Sequence, residues 1–182
     1  MNSLFVLEHA VFIGLGSNLG DSTALLRQAL DRLRALARPS RTDGPAVSFL
    51  VSSLWQTSPV DCPVGSPPFV NAVAGFWPQP WESPDTLLAR LQGVERQFGR
   101  PPKKTLNEPR PLDLDLLAFG RETRAEPSLL LPHPRAHLRR FVLQPLSEIA
   151  PDLRLPGQSQ TVAQLLAALQ TSETLRCLGS LP

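Results

Sequence analysis

An α+β sandwich, one antiparallel sheet with helices packed against it, is the fold class predicted for these 182 residues. Three observations predict it. Short apolar runs ended by turn residues read as strands, and two longer stretches carry an apolar stripe at helical spacing. The order of these segments is β-α-β-β-α-β. No Gly/Ser-rich linker or low-complexity block divides the chain. That order is the split βαβ of ferredoxin-like folds, with both helices on one side of the sheet. The length corresponds to a single domain over 1–182, with a core over about 10–152 and a C-terminal extension over 153–182.

The first strand is "AVFIGLG", Ala10–Gly16, a continuous apolar run ended by glycine. The lead-in before it has no basic start and is interrupted by Glu8 and His9, which argues against a secretory leader. "SNLGDS" turns the chain, and Asp21 or Ser22 can cap a helix with the stripe Leu25, Leu26, Ala29, Leu30, Leu33 and Leu36. Val47–Trp55 reads as the second strand. "TSPVDCPVGSPP" is a loop with four prolines, and Phe69–Trp77 the third strand. Ser83 caps the second helix, Pro84 opens it and Gly99 follows it, with Leu87, Leu88, Leu91, Val94 and Phe98 as its apolar face. Gln92 and Glu95 lie one turn apart at the edge of that face. "RPPKKTLNEPR" is a basic loop leading to the fourth strand, "LDLDLLAFG". The final third is expected to extend the same domain, with a last helix near Thr161–Leu169.

Composition narrows the function. A net charge of +2 supplies no global field, so affinity for phosphates must come from local Arg and Lys clusters. Cys62 and Cys177 are too few and too far apart in sequence for a metal motif and read as free thiols in a reducing compartment. No apolar run approaches the ~20 residues of a membrane span. A soluble cytoplasmic protein is expected.

The chemistry concentrates on the fourth strand. Alternation puts Asp113 and Asp115 on one face and Leu112, Leu114 and Leu116 on the other. Two carboxylates side by side repel, so cations are expected beside them. Arg100, Lys103, Lys104 and Arg110 precede the strand. Carboxylates on a rigid strand suit Mg²⁺, a hard ion often shared with substrate phosphates, and two such ions can clamp an in-line phosphoryl displacement. A salt-bridged surface pair is the plainer alternative. A second cluster, His133, Arg135, Arg139 and Arg140 beside Phe141, suits phosphate or ribose contacts, or else a solvated basic helix face. Phe69 and Asn71 share a strand face, a pairing that suits a flat heterocycle as well as a core ring beside an edge amide. "GLGSNLG" lacks the Lys-Ser/Thr of a P-loop, and its glycines read as turn residues permitting close backbone approach.

"GLGSNLGD", "FVNAV", "PRPLDLDLLAFG" and "LPHPRAHLRRFVLQPLSEIAPD" together resemble the 6-hydroxymethyl-7,8-dihydropterin pyrophosphokinases of folate biosynthesis, from about Val11 to Asp152. The resemblance implies a ferredoxin-like fold and transfer of a diphosphoryl group from ATP to the pterin hydroxymethyl oxygen, releasing AMP. It implies that Asp113 and Asp115 hold two Mg²⁺ ions, and that Arg100 and Arg110 bind phosphates and stabilise the transition state. It also implies that Gln92, Glu95, Arg110, His133 and Arg139 serve ATP, and that Thr57, Val60, Phe69, Asn71 and Phe141 form the pterin pocket. Its partners would be ATP and the pterin, with no nucleic acid, no membrane and a monomeric chain.

The chain leaves that pattern at three places. Asn107-Glu108 stands where many members carry Trp-Gly, Pro102 replaces an arginine, and "VDCPVGSPP" differs from the commoner pterin-side loop. The rival class, an RNA-recognition module of the same element order, lacks its Gly-aromatic signature on the third strand and leaves the paired aspartates unexplained. A small-molecule regulatory domain of the same fold has no need of two metals.

Overall fold

The structure is a computed structural model that describes residues 9–38, 49–100 and 108–180. Strand β1 (Val11–Ser17) leads into helix α1 (Ser22–Leu36). Asp21 caps that helix, its carboxylate accepting from the Ala24 amide at 3.0 Å. Strands β2 (Phe49–Val51), β3 (Leu54–Thr57) and β4 (Phe69–Phe76) follow, then α2 (Pro84–Gln97) and β5 (Asp113–Phe119). Ser83 and Thr86 form a reciprocal capping box at the start of α2. A hairpin of β6 (Arg124–Glu126) and β7 (Leu129–Leu131), helices α3 (Arg140–Ile149) and α4 (Val162–Ala168), and strand β8 (Leu175–Gly179) complete the order.

The main sheet runs β5-β1-β4-β3-β8, with β2 also pairing β4, and every pairing is antiparallel. Its first four positions carry the predicted ferredoxin-like βαββαβ topology. Three features differ from the sequence reading. The expected strand Val47–Trp55 is two strands broken at Ser52–Ser53, and its start, Val47 and Ser48, lies outside the described residues. At the break the Ser52 hydroxyl accepts the Val73 amide at 2.9 Å, continuing the ladder through a side chain. Gly14 and Gly16 lie within β1, so of the three glycines in "GLGSNLG" Gly20 alone has the positive φ, 71°, of a turn. The C-terminal third adds a strand to the sheet itself.

Strand alternation divides the interior in two. Val11, Ile13 and Leu15 of β1, Ala72 and Ala74 of β4, and Leu114 and Leu116 of β5 pack with α1 and α2. Phe12, Val73 and Leu117 point the other way, onto α3 and α4. The two predicted helices therefore share one side, while α3 and α4 cover much of the other. What α3 and α4 leave open on that second face becomes the site.

Candidate functional site

The register aligns the functional side chains across the sheet. Asp113 lies opposite Gly16, Gly16 opposite Asn71, and Asn71 opposite Trp55; one row further, Asp115 lies opposite Gly14 and Gly14 opposite Val73. The central strand thus contributes hydrogens where other residues would contribute side chains. A Cβ added at Gly16 would meet Asn71 Oδ1 at 3.0 Å, and one at Gly14 would meet Leu117 Cδ2 at 3.4 Å. This bare floor underlies a pocket of about 630 Å³, counting its open mouth. Asp113, Asp115, Arg110 and Arg139 line its charged end, and Thr57, Val60, Phe69, Asn71 and Phe141 its other walls.

The cations expected beside the aspartates are present. Asp113 pairs with Arg100 Nη1 at 2.6 Å through one oxygen and with Arg110 Nη2 at 2.8 Å through the other. Arg100 also pairs with Glu95, whose Oε1 accepts the Leu114 amide at 2.7 Å. Glu95 is buried, and its carboxyl is held above the ordinary value chiefly by burial, against the Leu114 hydrogen bond and the Arg100 charge. Arg100 is raised despite its own burial, because Asp113 and Glu95 both favour its charge. Among the described residues no arginine clasps Asp115 in this way. Burial, then the charge of Asp113, push it up to about 7, and Arg139 and Arg110 only partly oppose them.

Each arginine at the charged end also lies over a ring. Arg110 Cζ is 5.5 Å from the Phe69 centroid and Arg139 Cζ 5.2 Å from that of Phe141. Arg139 is lowered, first by burial and then by Arg135. His133 is lowered to about 4 by burial and by the charges of Arg139 and Arg135. Its Nδ1 accepts the Arg135 amide at 3.2 Å, which leaves the proton of the neutral ring on Nε2. On the other wall, Asn71 Nδ2 donates to Thr57 Oγ1 at 2.8 Å, an orientation that leaves Oδ1 over Gly16.

The structure thus brings ten of the predicted residues into one region, nine lining the pocket and Arg100 paired to Asp113. Glu95 joins through Arg100. His133 lies on the segment that bonds β5, its amide donating to the Leu117 carbonyl at 2.9 Å. Gln92 is exposed on α2 and absent from the pocket lining. Pro102, Lys103, Lys104 and Asn107 lie outside the described residues.

Sequence reasoning missed two residues. Asn18 is 5 % exposed; its Oδ1 accepts the Arg110 amide at 2.8 Å, its own amide donates to the Arg110 carbonyl at 3.2 Å, and its Nδ2 donates to the Pro67 carbonyl at 3.3 Å. The available signal is an amide side chain within the glycine motif, able both to donate and to accept. Glu173 accepts the Phe141 amide at 3.0 Å from 32 residues downstream, and no local pattern announces that contact.

Two carboxylates alone make an incomplete metal shell, and among the described residues no three acid, His or Cys side chains converge on a point. A hard divalent ion that completes its shell with substrate phosphates needs no third protein ligand. Asp113 and Asp115 are the two carboxylates at the charged end of the pocket that such an ion would share.

Comparison with known proteins shows the family and the fold. Residues 12–151 match the family described as 7,8-dihydro-6-hydroxymethylpterin-pyrophosphokinase (HPPK). The chain is similar to a 2-amino-4-hydroxy-6-hydroxymethyldihydropteridine pyrophosphokinase of Pseudomonas aeruginosa, 38% identical over 87% of this chain and 90% of that one. One of Haemophilus influenzae is 38% identical over 85% and 89%. Among solved structures, wild-type Plasmodium falciparum HPPK-DHPS with SDX-DHP shares the fold at a TM-score of 0.66 and 13% identity, over 87% of this chain. This chain spans less than half of that longer one, 44%.

Proposed function

The chain belongs to the 7,8-dihydro-6-hydroxymethylpterin-pyrophosphokinase family, and from that premise we propose how its own residues perform the reaction, as one domain. It transfers a diphosphate group from ATP to 6-hydroxymethyl-7,8-dihydropterin, in folate biosynthesis. The pterin hydroxymethyl oxygen forms a bond to the β-phosphorus, and the bond from that phosphorus to the oxygen bridging it to the α-phosphorus breaks. AMP leaves with the bridging oxygen, and the hydroxyl proton passes to solvent.

One observation carries the assignment of roles: paired carboxylates and a ring-and-amide wall share one pocket across a floor of two glycines. Phe69 and Phe141 hold the flat pterin between them, and Asn71 meets its edge, with Thr57 and Val60 closing that side. Asp113 and Asp115 hold two Mg²⁺ ions, which when bound neutralise the phosphates and polarise the reacting oxygens. Arg110 and Arg100 turn from Asp113 to the phosphates as charge moves onto the leaving oxygen. Arg139 and the Nε2–H of neutral His133 contact the nucleotide. Glu95 braces Arg100 and β5, and with Gln92 borders the ATP side. No strong base is required, because positioning and charge neutralisation supply most of the acceleration.

A coupled assay of AMP release with ATP, Mg²⁺ and the reduced pterin tests the reading. Turnover that needs all three supports it; folded protein that releases no AMP overturns it.

A further inference from the structure

Helix α3 begins without a local cap. Arg139 occupies the N-cap position and makes no side-chain capping hydrogen bond. The first-turn amides of a helix have no partner within it. One of them, that of Phe141, donates to Glu173 at 3.0 Å. The next residue, Thr174, accepts the Ser58 amide at 3.1 Å through its carbonyl, and its amide donates to Ser58 Oγ at 3.2 Å. The strand that follows pairs with β3, with Leu175 opposite Thr57. Three consecutive residues therefore join two walls of the pocket. One wall is the Thr57–Ser58 end of β3, and the other is the start of α3 that bears Phe141.

We propose that Glu173 is a positioning residue for the pterin side of the site, setting Phe141 at a fixed distance from Thr57 and Ser58. This rests on the pyrophosphokinase reading and adds to it a role for the C-terminal segment. A carboxylate accepting a first-turn amide also opposes the positive end of the helix, and both effects fix the direction in which the ring enters the pocket. Most of the ATP side does not depend on this bridge, because Asp113, Arg100 and Arg110 are held by β5, Glu95 and Asn18; Arg139, at the start of α3, is the one nucleotide contact that shares it.

The test compares wild type, Glu173→Ala and Glu173→Gln by steady-state kinetics and by pterin binding in the presence of a nonhydrolysable ATP analogue. Glu173→Ala should raise the pterin KM and dissociation constant about tenfold, the loss expected for one charged cap. Its ATP KM should stay within about twofold. Glu173→Gln keeps an acceptor oxygen and should recover most of the pterin affinity. A lowered melting temperature with pterin binding unchanged below the transition would overturn the proposal, as would equal rises in both KM values. A wild-type enzyme without AMP release would instead sink the functional reading, so the two failures are distinct.

Discussion

At position 16 the site depends on an absent side chain. A methyl group there would press on Asn71 Oδ1 at 3.0 Å and stand 3.8 Å from Asp113 Cβ. We expect Gly16→Ala to raise the pterin KM about tenfold, roughly 1.4 kcal/mol, because Asn71 must give by a few tenths of an ångström, which strains its hydrogen bond to Thr57. An unaltered pterin KM would remove Asn71 from the recognition edge. Asp115 bears the opposite burden, a buried carboxylate beside another. Asp115→Asn should cost at least about a thousandfold in turnover, as expected where charge must be neutralised at transferring phosphates. Circular dichroism of the metal-free variant should show no loss of stability, and the melting temperature should rise by several degrees as the repulsion with Asp113 disappears. Asn18 acts through another residue. Asn18→Ala frees the Arg110 backbone and should lower kcat more than it raises either KM.

At the scale of elements, the strands and helices whose patterns close locally were legible. The stripe of α1, the Ser83-Pro84 start of α2 and the alternation around Asp113 and Asp115 each carry their own period or cap, and the structure follows them. Elements that depend on distant partners were not. The break at Ser52–Ser53 exists because a hydroxyl replaces a ladder contact to β4. Helix α3 has Pro145 inside it and takes its cap from Glu173. Its other end is fixed by Glu148, which accepts the Ser53 amide and Trp55 Nε1, each at 2.7 Å. Strand β8 carries no buried alternation, and its pairing with β3, more than a hundred residues earlier, makes it part of the sheet. The same physics separates the site residues that converge from Gln92, whose helical neighbour Glu95 is buried while it faces outward. Packing between elements gives a test independent of chemistry. A Cβ at Gly75 would lie 2.9 Å from Phe12 Cε1, inside the layer between the sheet and α3. Gly75→Ala should destabilise by about 1–3 kcal/mol in urea titration, with both KM values retained below the transition.

For the whole molecule, the sheet separates a dry core on one side from chemistry on the other. No helix among the described residues is long and apolar enough to cross a membrane. The covered second face also explains why an RNA-recognition reading fails: α3 and α4 occupy much of the surface on which bases would stack. His133 links this burial to pH. Its folded value of about 4 lies below the ordinary 6.5, so the unfolded chain takes up the proton first. Stability should therefore fall as pH drops from 6.5 towards 4 and change no further from this group below that. Between pH 7.5 and 5 the wild type should lose about 1–2 kcal/mol more than His133→Gln; parallel losses would show that His133 is not the group responsible.

The two cysteines differ in exposure. Cys62 is half-buried, lines the pocket and donates its thiol to the Val60 carbonyl at 3.2 Å, whereas Cys177 is exposed on β8. Alkylation followed by mass spectrometry should label Cys177 at one rate whether or not substrate is present. Labelling of Cys62 should slow as the pterin saturates, so the ratio of the two labels reads out pocket occupancy, with the outer thiol as internal standard.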